Sequence, residues 1–149
     1  GGGGEDYLNH LKRLAAGLPV AFIGPEHDSK ALSDHYRRSS IFVYPSLAER
    51  GETFGVAPLE AMAFGSVPVV SDLACFRDFI GAGRNGLVFD HRAQDPASEL
   101  AAAILGLLRD ETRRRALAEA ALAVNASHAP DKIAAQFLED FATLTGKAA

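Results

Sequence analysis

Glu52 and Glu60 are separated by seven intervening residues, Gly55 among them, in the stretch Glu52-Thr-Phe-Gly-Val-Ala-Pro-Leu-Glu60. Glu60 is the only charged residue of a segment that otherwise holds Val56, Leu59, Ala61, Met62, Ala63 and Phe64. A carboxylate in such company either points to solvent or is costly unless paired. A lone helical glutamate is ordinarily a solvated charge, but apolar neighbours on all sides favour a functional role here. Two carboxylates bracketing a helix start describe a pocket for a ligand carrying both hydroxyls and phosphates. Backbone amides at a helix N-terminus favour anions, and carboxylates accept paired hydrogen bonds from a sugar diol.

The elements that must position this pair flank it. Ile41–Tyr44 is a short apolar run that suits a strand buried on both faces. Pro45 ends it, and a polar loop runs to Thr53. A helix fits Gly55–Phe64, with Thr53 as N-cap and Gly65 as the stop. Val67–Val70 supplies a second buried strand.

Glu52-Thr-Phe-Gly-Val-Ala-Pro-Leu-Glu60-Ala-Met-Ala-Phe-Gly65 resembles the Glu-x7-Glu signature of retaining GT-B glycosyltransferases, the glycogen-synthase-like family-four group. The resemblance extends to Phe22-Ile-Gly, Tyr36 and Ile41-Phe-Val-Tyr-Pro-Ser before the signature. After it come Val67-Pro-Val-Val-Ser and Gly83-Arg-Asn-Gly-Leu-Val-Phe. It implies the incomplete C-terminal donor-binding domain of an enzyme that moves a hexose from a nucleotide-diphosphate sugar to an acceptor hydroxyl. By resemblance Glu60 holds ribose hydroxyls and Glu52 holds and orients the donor sugar, while the amides of Phe54, Gly55 and Val56 face sugar and phosphates. Such a site favours electrostatic stabilisation of a departing diphosphate over acid–base chemistry. The implied partners are a nucleotide sugar and an acceptor glycan or lipid, the latter held by an N-terminal domain outside this chain. The implied location is cytoplasmic, including the periphery of the membrane.

The family's nucleotide domain opens with two further strand–helix units, and a Gly-Arg…Lys-Gly motif in the first holds the diphosphate. No Arg or Lys of this chain matches it, so the chain alone is expected to be inactive. In this fold the first strand is central. Without it a gap would open beside the next strand, and a rearranged sheet, self-association through open edges or marginal stability is expected.

Bulk properties agree with one globular domain. The chain has 149 residues, 48% hydrophobic and 23% charged, with a net charge of −4 and thus no basic footprint for nucleic acid or anionic membrane. Cys75, the single cysteine, excludes an internal disulfide and reads as a small apolar residue. No run is long enough to span a bilayer. With no Asp-x-Asp motif, no cofactor and no obligatory metal are expected.

Along the chain, Gly1–Gly4 reads as a flexible turn, because the acids Glu5 and Asp6 that follow would repel a phosphate. A helix follows over Glu5–Ala16, with Leu8, Leu11 and Leu14 inward. Pro19–Gly24 is expected to be a strand whose end brings Gly24 and Pro25 towards the nucleotide base. Asp28 caps a helix to Arg38 with Leu32 and Tyr36 inward. Ser46 and Ser71 sit at strand ends, where turn or capping duty fits as well as ligand contact. A short helix near Cys75–Ile80 and a strand at Leu87–Phe89 precede residues 95–149, read as C-terminal helices packed on the partial nucleotide-sugar domain. Asp95-Pro96 and Asp110 start two of them, and Pro130 opens the last, with Ile133, Phe137, Leu138, Phe141 and Leu144 on a core face. Four strands each followed by a helix argue a parallel doubly wound α/β sheet.

Two other readings share this architecture. A non-catalytic nucleotide-sugar-binding or interaction module would bind without turnover. A receiver-type signalling domain would need acids clustered at strand ends, which here are Gly24, Pro45, Ser71 and Asp90.

Overall fold

The computed structural model describes residues 4–146; the expected turn at Gly1–Gly4 lies outside them except for Gly4. The chain divides into a unit ending at Leu32 and a unit beginning at Ser33.

The first unit holds helix α1 (Glu5–Leu14), with its acids in the first turn and Lys12 and Arg13 in the last, where the helix dipole favours them. None of its residues is buried, so Leu8, Leu11 and Leu14 do not form the inward face their spacing predicts. Pro19–Gly24 is not a strand. It stays irregular, with Val20, Phe22 and Ile23 exposed; it pairs with none of the described strands, and a strand exists only beside another. Asp28 Oδ2 accepts from the Ala31 amide and caps helix α2 (Ser29–Arg38), as expected.

The second unit is a parallel three-stranded sheet in the order β1-β2-β3, with β1 at Ile41–Tyr44, β2 at Val67–Ser71 and β3 at Leu87–Phe89. Ile41 lies opposite Val67, and Val69 opposite Leu87. Among the described residues the sheet therefore has three strands rather than four. β2 is buried throughout, but β1 is an outer strand and only half-buried, so its all-apolar sequence overstates its burial. Pro68 sits in the central strand without breaking it. The Val67 amide donates to Ser40 O, so by alternation Pro68 turns towards the β3 side, where pairing starts one residue later. Gly86 makes room there, since a Cβ would lie 2.6 Å from Pro68 Cγ.

Helices cover both faces of the sheet. On one face α3 (Val56–Ala63) and the short α6 (Val124–Ser127) enclose Met62, Val70, Phe76 and Phe79. On the other, α4 (Pro96–Arg109) and α5 (Glu111–Ala121) bury Val67, Val69, Phe89, Leu107 and Leu117. Asp95 accepts from the Ser98 amide and Asp110 from the Arg113 amide, so both helices start where the sequence places them. Helix α7 (Pro130–Thr145) also starts and stops as expected, with Gly146 in the left-handed region. Its apolar face is not core, however. Ile133, Phe137, Leu138, Phe141 and Leu144 are all exposed, because periodicity marks a face without providing something to cover it.

Candidate functional site

Helix α3 begins one residue later than expected, and Gly55 rather than Thr53 occupies its N-cap, with no side-chain cap. The backbone explains this. Gly55 has φ +78°, and a Cβ there would lie 2.4 Å from the ring of buried Phe76. Only glycine meets both conditions cheaply. The chain thus turns sharply into α3. Phe54 packs its ring on Phe79 with centroids 5.2 Å apart. Among the described residues the amides of Phe54, Gly55 and Val56 have no acceptor, as befits a helix start. Gly65, at φ +82°, ends the helix as expected.

The two glutamates are held by tyrosines. Tyr44 donates to Glu52 Oε2 at 2.9 Å, and Tyr36 donates to Glu60 Oε2 at 3.0 Å. Phe42 links the phenols: its ring meets Tyr36 edge-on at 5.7 Å and stacks on Tyr44 at 6.4 Å. Phe42 and Tyr44 share one face of β1 through the two-residue period of a strand. One row of rings thereby links the two phenols that hold the carboxylates.

Both phenols resist ionisation. Burial pushes Tyr36 up to about 12, with the hydrogen bond to Glu60 and its charge adding to the effect. Tyr44 is raised chiefly by its hydrogen bond to Glu52. The phenols therefore stay protonated donors at neutral pH, and each glutamate keeps acceptor capacity for a ligand.

Glu60 is exposed, so the unpaired buried charge considered from sequence does not arise. It is not isolated, though. It lines a cleft of ≈ 270 Å³ with Leu59, Ala63, Asn125, His128 and Pro130. Glu52 is half-buried. Ser46 serves a turn, accepting from the Ala48 amide. Ser71 is fully buried at the end of β2, and its hydroxyl has no partner among the described residues. Gly24, at φ +79°, and Pro25 lie in the irregular segment of the first unit and not at a strand end. Cys75 is half-buried and its thiol is pushed up, first by burial, which suits an apolar filler rather than a nucleophile. Among the described residues no group of three His, Cys, Asp or Glu could hold a metal ion. None of the described helices is long and apolar enough to cross a membrane.

Sequence reasoning read Tyr36 only as a core residue and missed both phenol–carboxylate pairs. The available signal was a tyrosine where an aliphatic residue would pack as well, since a buried hydroxyl needs a partner.

The family model described as "Glycosyl transferases group 1" matches residues 1–124. The chain belongs to this family. Among its relatives, it is 36% identical over 111 residues to the D-inositol 3-phosphate glycosyltransferase of Geodermatophilus obscurus, covering 72% of this chain and 23% of that protein. It is 35% identical over 114 residues to the phosphatidyl-myo-inositol mannosyltransferase of Mycolicibacterium smegmatis, covering 76% and 28%. The chain thus matches about a quarter of the length of these relatives.

Solved structures agree on the fold. The C-terminal domain of the group 1 glycosyl transferase LpcC from Francisella tularensis superposes with a TM-score of 0.69 at 24% identity, over 83% of this chain and 62% of that one. Anabaena Alr3699/HepE, solved in complex with UDP and glucose, gives 0.75 at 22% identity, over 93% and 37%. The three-stranded parallel sheet with helices on both faces is the Rossmann-like architecture of the GT-B C-terminal domain.

Proposed function

We propose that this group 1 glycosyltransferase chain is the donor-binding portion of a retaining enzyme that transfers a hexose from a nucleotide-diphosphate sugar to an acceptor hydroxyl. The observation that carries the reading is the pair of tyrosine-held carboxylates, Glu52 and Glu60, on either side of acceptor-free amides at the start of α3. Glu60 accepts from the ribose diol, Glu52 accepts from the donor sugar, and the amides of Phe54, Gly55 and Val56 face the sugar and diphosphate. Preorganised donors and acceptors of this kind stabilise a departing diphosphate without moving a proton. UDP and glucose bound to the Anabaena neighbour support the ligand class.

The reading includes turnover without an obligatory metal, tested by activity in the presence of a chelator. It also includes an inactive isolated chain, since the chain matches a fraction of its relatives' length. Calorimetry of the intact protein with UDP-glucose and GDP-mannose tests the site. Glu60→Ala is expected to weaken binding about 10–100-fold, the worth of hydrogen bonds to a charged group. Unchanged affinity removes Glu60 from the ribose role. Donor binding by the intact protein without transfer to any acceptor would favour the non-catalytic module instead.

A further inference from the structure

The loop that carries Glu52 leaves the end of β1 with a left-handed Gly51 at φ +110°, and holds no secondary structure between Pro45 and α3 beyond turns. Its own side chains contribute one turn, Ser46 accepting from the Ala48 amide, and Glu52 is held at its carboxylate by Tyr44. A tether comes from the far side of the sheet. Glu49 accepts from Arg92 twice, at 2.8 Å from Nε to Oε1 and 2.8 Å from Nη2 to Oε2, a two-pronged pair that defines direction as well as distance. His91, whose side chain is 4% exposed, adds Nε2 at 2.8 Å from Glu49 Oε1. A carboxylate only accepts, so that nitrogen carries the hydrogen. The third nitrogen of Arg92, Nη1, donates to the carbonyl of Asp72 at 3.1 Å, and the Arg92 amide donates to Asp90 Oδ1 at 2.9 Å.

We propose that Arg92 is a positioning residue for Glu52: one guanidinium joins the segments following β1, β2 and β3 and sets the loop from which Glu52 reaches its ligand. All three segments leave the C-terminal ends of parallel strands, where ligands collect in this architecture. Glu49 stands three residues before Glu52, so a loop anchored at Glu49 and at the Tyr44 hydrogen bond has little freedom between them. Arg92 and Glu49 are about half exposed, and ion pairs so placed add little to global stability. The consequence is local: the pair governs where the loop lies far more than whether the domain folds. Lysine cannot replace it, since an ammonium lacks the fork that spans both Glu49 oxygens and the Asp72 carbonyl.

This inference rests on the assignment of Glu52 to the donor sugar, and the experiment separates the two. In the intact protein, affinities are measured for UDP and UDP-glucose and for GDP and GDP-mannose, with hydrogen exchange followed over residues 47–54. Arg92→Ala is expected to weaken the hexose conjugate about tenfold while leaving the nucleoside diphosphate unchanged. Exchange over 47–54 should quicken, α3 should keep its protection, and Tm should stay within about 3 °C. Arg92→Lys should restore only part of the preference. Equal loss for conjugate and diphosphate, no loss for either, or unchanged exchange over 47–54 overturns the positioning role. A Glu52→Ala variant that loses no affinity for the conjugate relative to the diphosphate overturns the assignment of Glu52 itself, and this inference with it.

Discussion

Tyr36 donates a 3.0 Å hydrogen bond to Glu60 Oε2, tying a buried ring on α2 to an exposed carboxylate on α3. The bond engages Oε2 of Glu60, and a carboxylate so held can still accept from a ligand. Tyr36→Phe removes the donor with almost no change of shape. In the intact protein it should weaken nucleotide-sugar binding about 2–10-fold, less than Glu60→Ala, as befits a neutral donor that orients an acceptor. Calorimetry of both variants side by side gives the ordering, and equal losses would show that Tyr36 does more than orient.

The burial of the Tyr36 phenol, with this bond and the Glu60 charge adding to it, has an alkaline signature. The folded chain holds the Tyr36 proton more tightly than the unfolded chain, with the phenol raised from 10.0 to about 12. Its contribution to stability is therefore complete below pH 10 and is lost as pH rises from 10 towards 12. Phenolate absorbance of the three tyrosines should show a last step near 12 that is absent from Tyr36→Phe. A wild-type titration complete by pH 10.5 would contradict the burial of the phenol first, and its bond to Glu60 with it.

Gly55→Ala should be more damaging than its size implies. The left-handed backbone costs an alanine about 1–2 kcal/mol, and contact with the Phe76 ring adds about 1–3 kcal/mol of overpacking. Gly83 makes the control, with φ +75° but open space around a Cβ, so Gly83→Ala should show the backbone cost alone. Urea denaturation of the two variants measures the difference, and equal destabilisation would remove the Phe76 contact from the account.

Acid should loosen the domain through particular carboxylates. Asp95 is held below 3.8 chiefly by the Ser98 hydroxyl and amide, Asp72 below 3.8 chiefly by Arg77, and Glu49 below 4.5 by Arg92 and then His91. Each folded-state value lies below the unfolded one, so the stability they add is present above the ordinary values and is lost as pH falls through the depressed ones. Melting temperature should accordingly drop below about pH 4. Asp95→Ala should lower it at neutral pH and flatten the acid limb, and a parallel acid limb would rule out the cap as a contributor.

The exposed stripe on α7 makes a different forecast. Phe137 and Phe141 stack on each other at 6.2 Å with more than half of each surface in solvent. Replacing both with serine should change the unfolding free energy by no more than about 0.5 kcal/mol. It should also reduce concentration-dependent association of the isolated chain in sedimentation experiments, since apolar patches of this kind promote contact between molecules. A marked loss of stability would mean that the stripe packs after all.

What the sequence determined by itself is what neighbours along the chain decide. The caps at Asp28, Asp95 and Asp110, the helix stop at Gly65 and the buried run at β2 depend on residues a few positions apart, and all stand where expected. The signature around Glu52 and Glu60 was legible for the same reason. Thr53 failed as a cap because Phe76, 23 residues beyond it, shapes the turn at Gly55. Pro19–Gly24 failed as a strand because a strand exists only beside another. Tertiary structure alone decided the pairing of Tyr36 with Glu60 across 24 residues and of Glu49 with Arg92 across 43. The direction of a side chain and the identity of its partner are set by how elements pack, and no local rule of propensity or period carries that information.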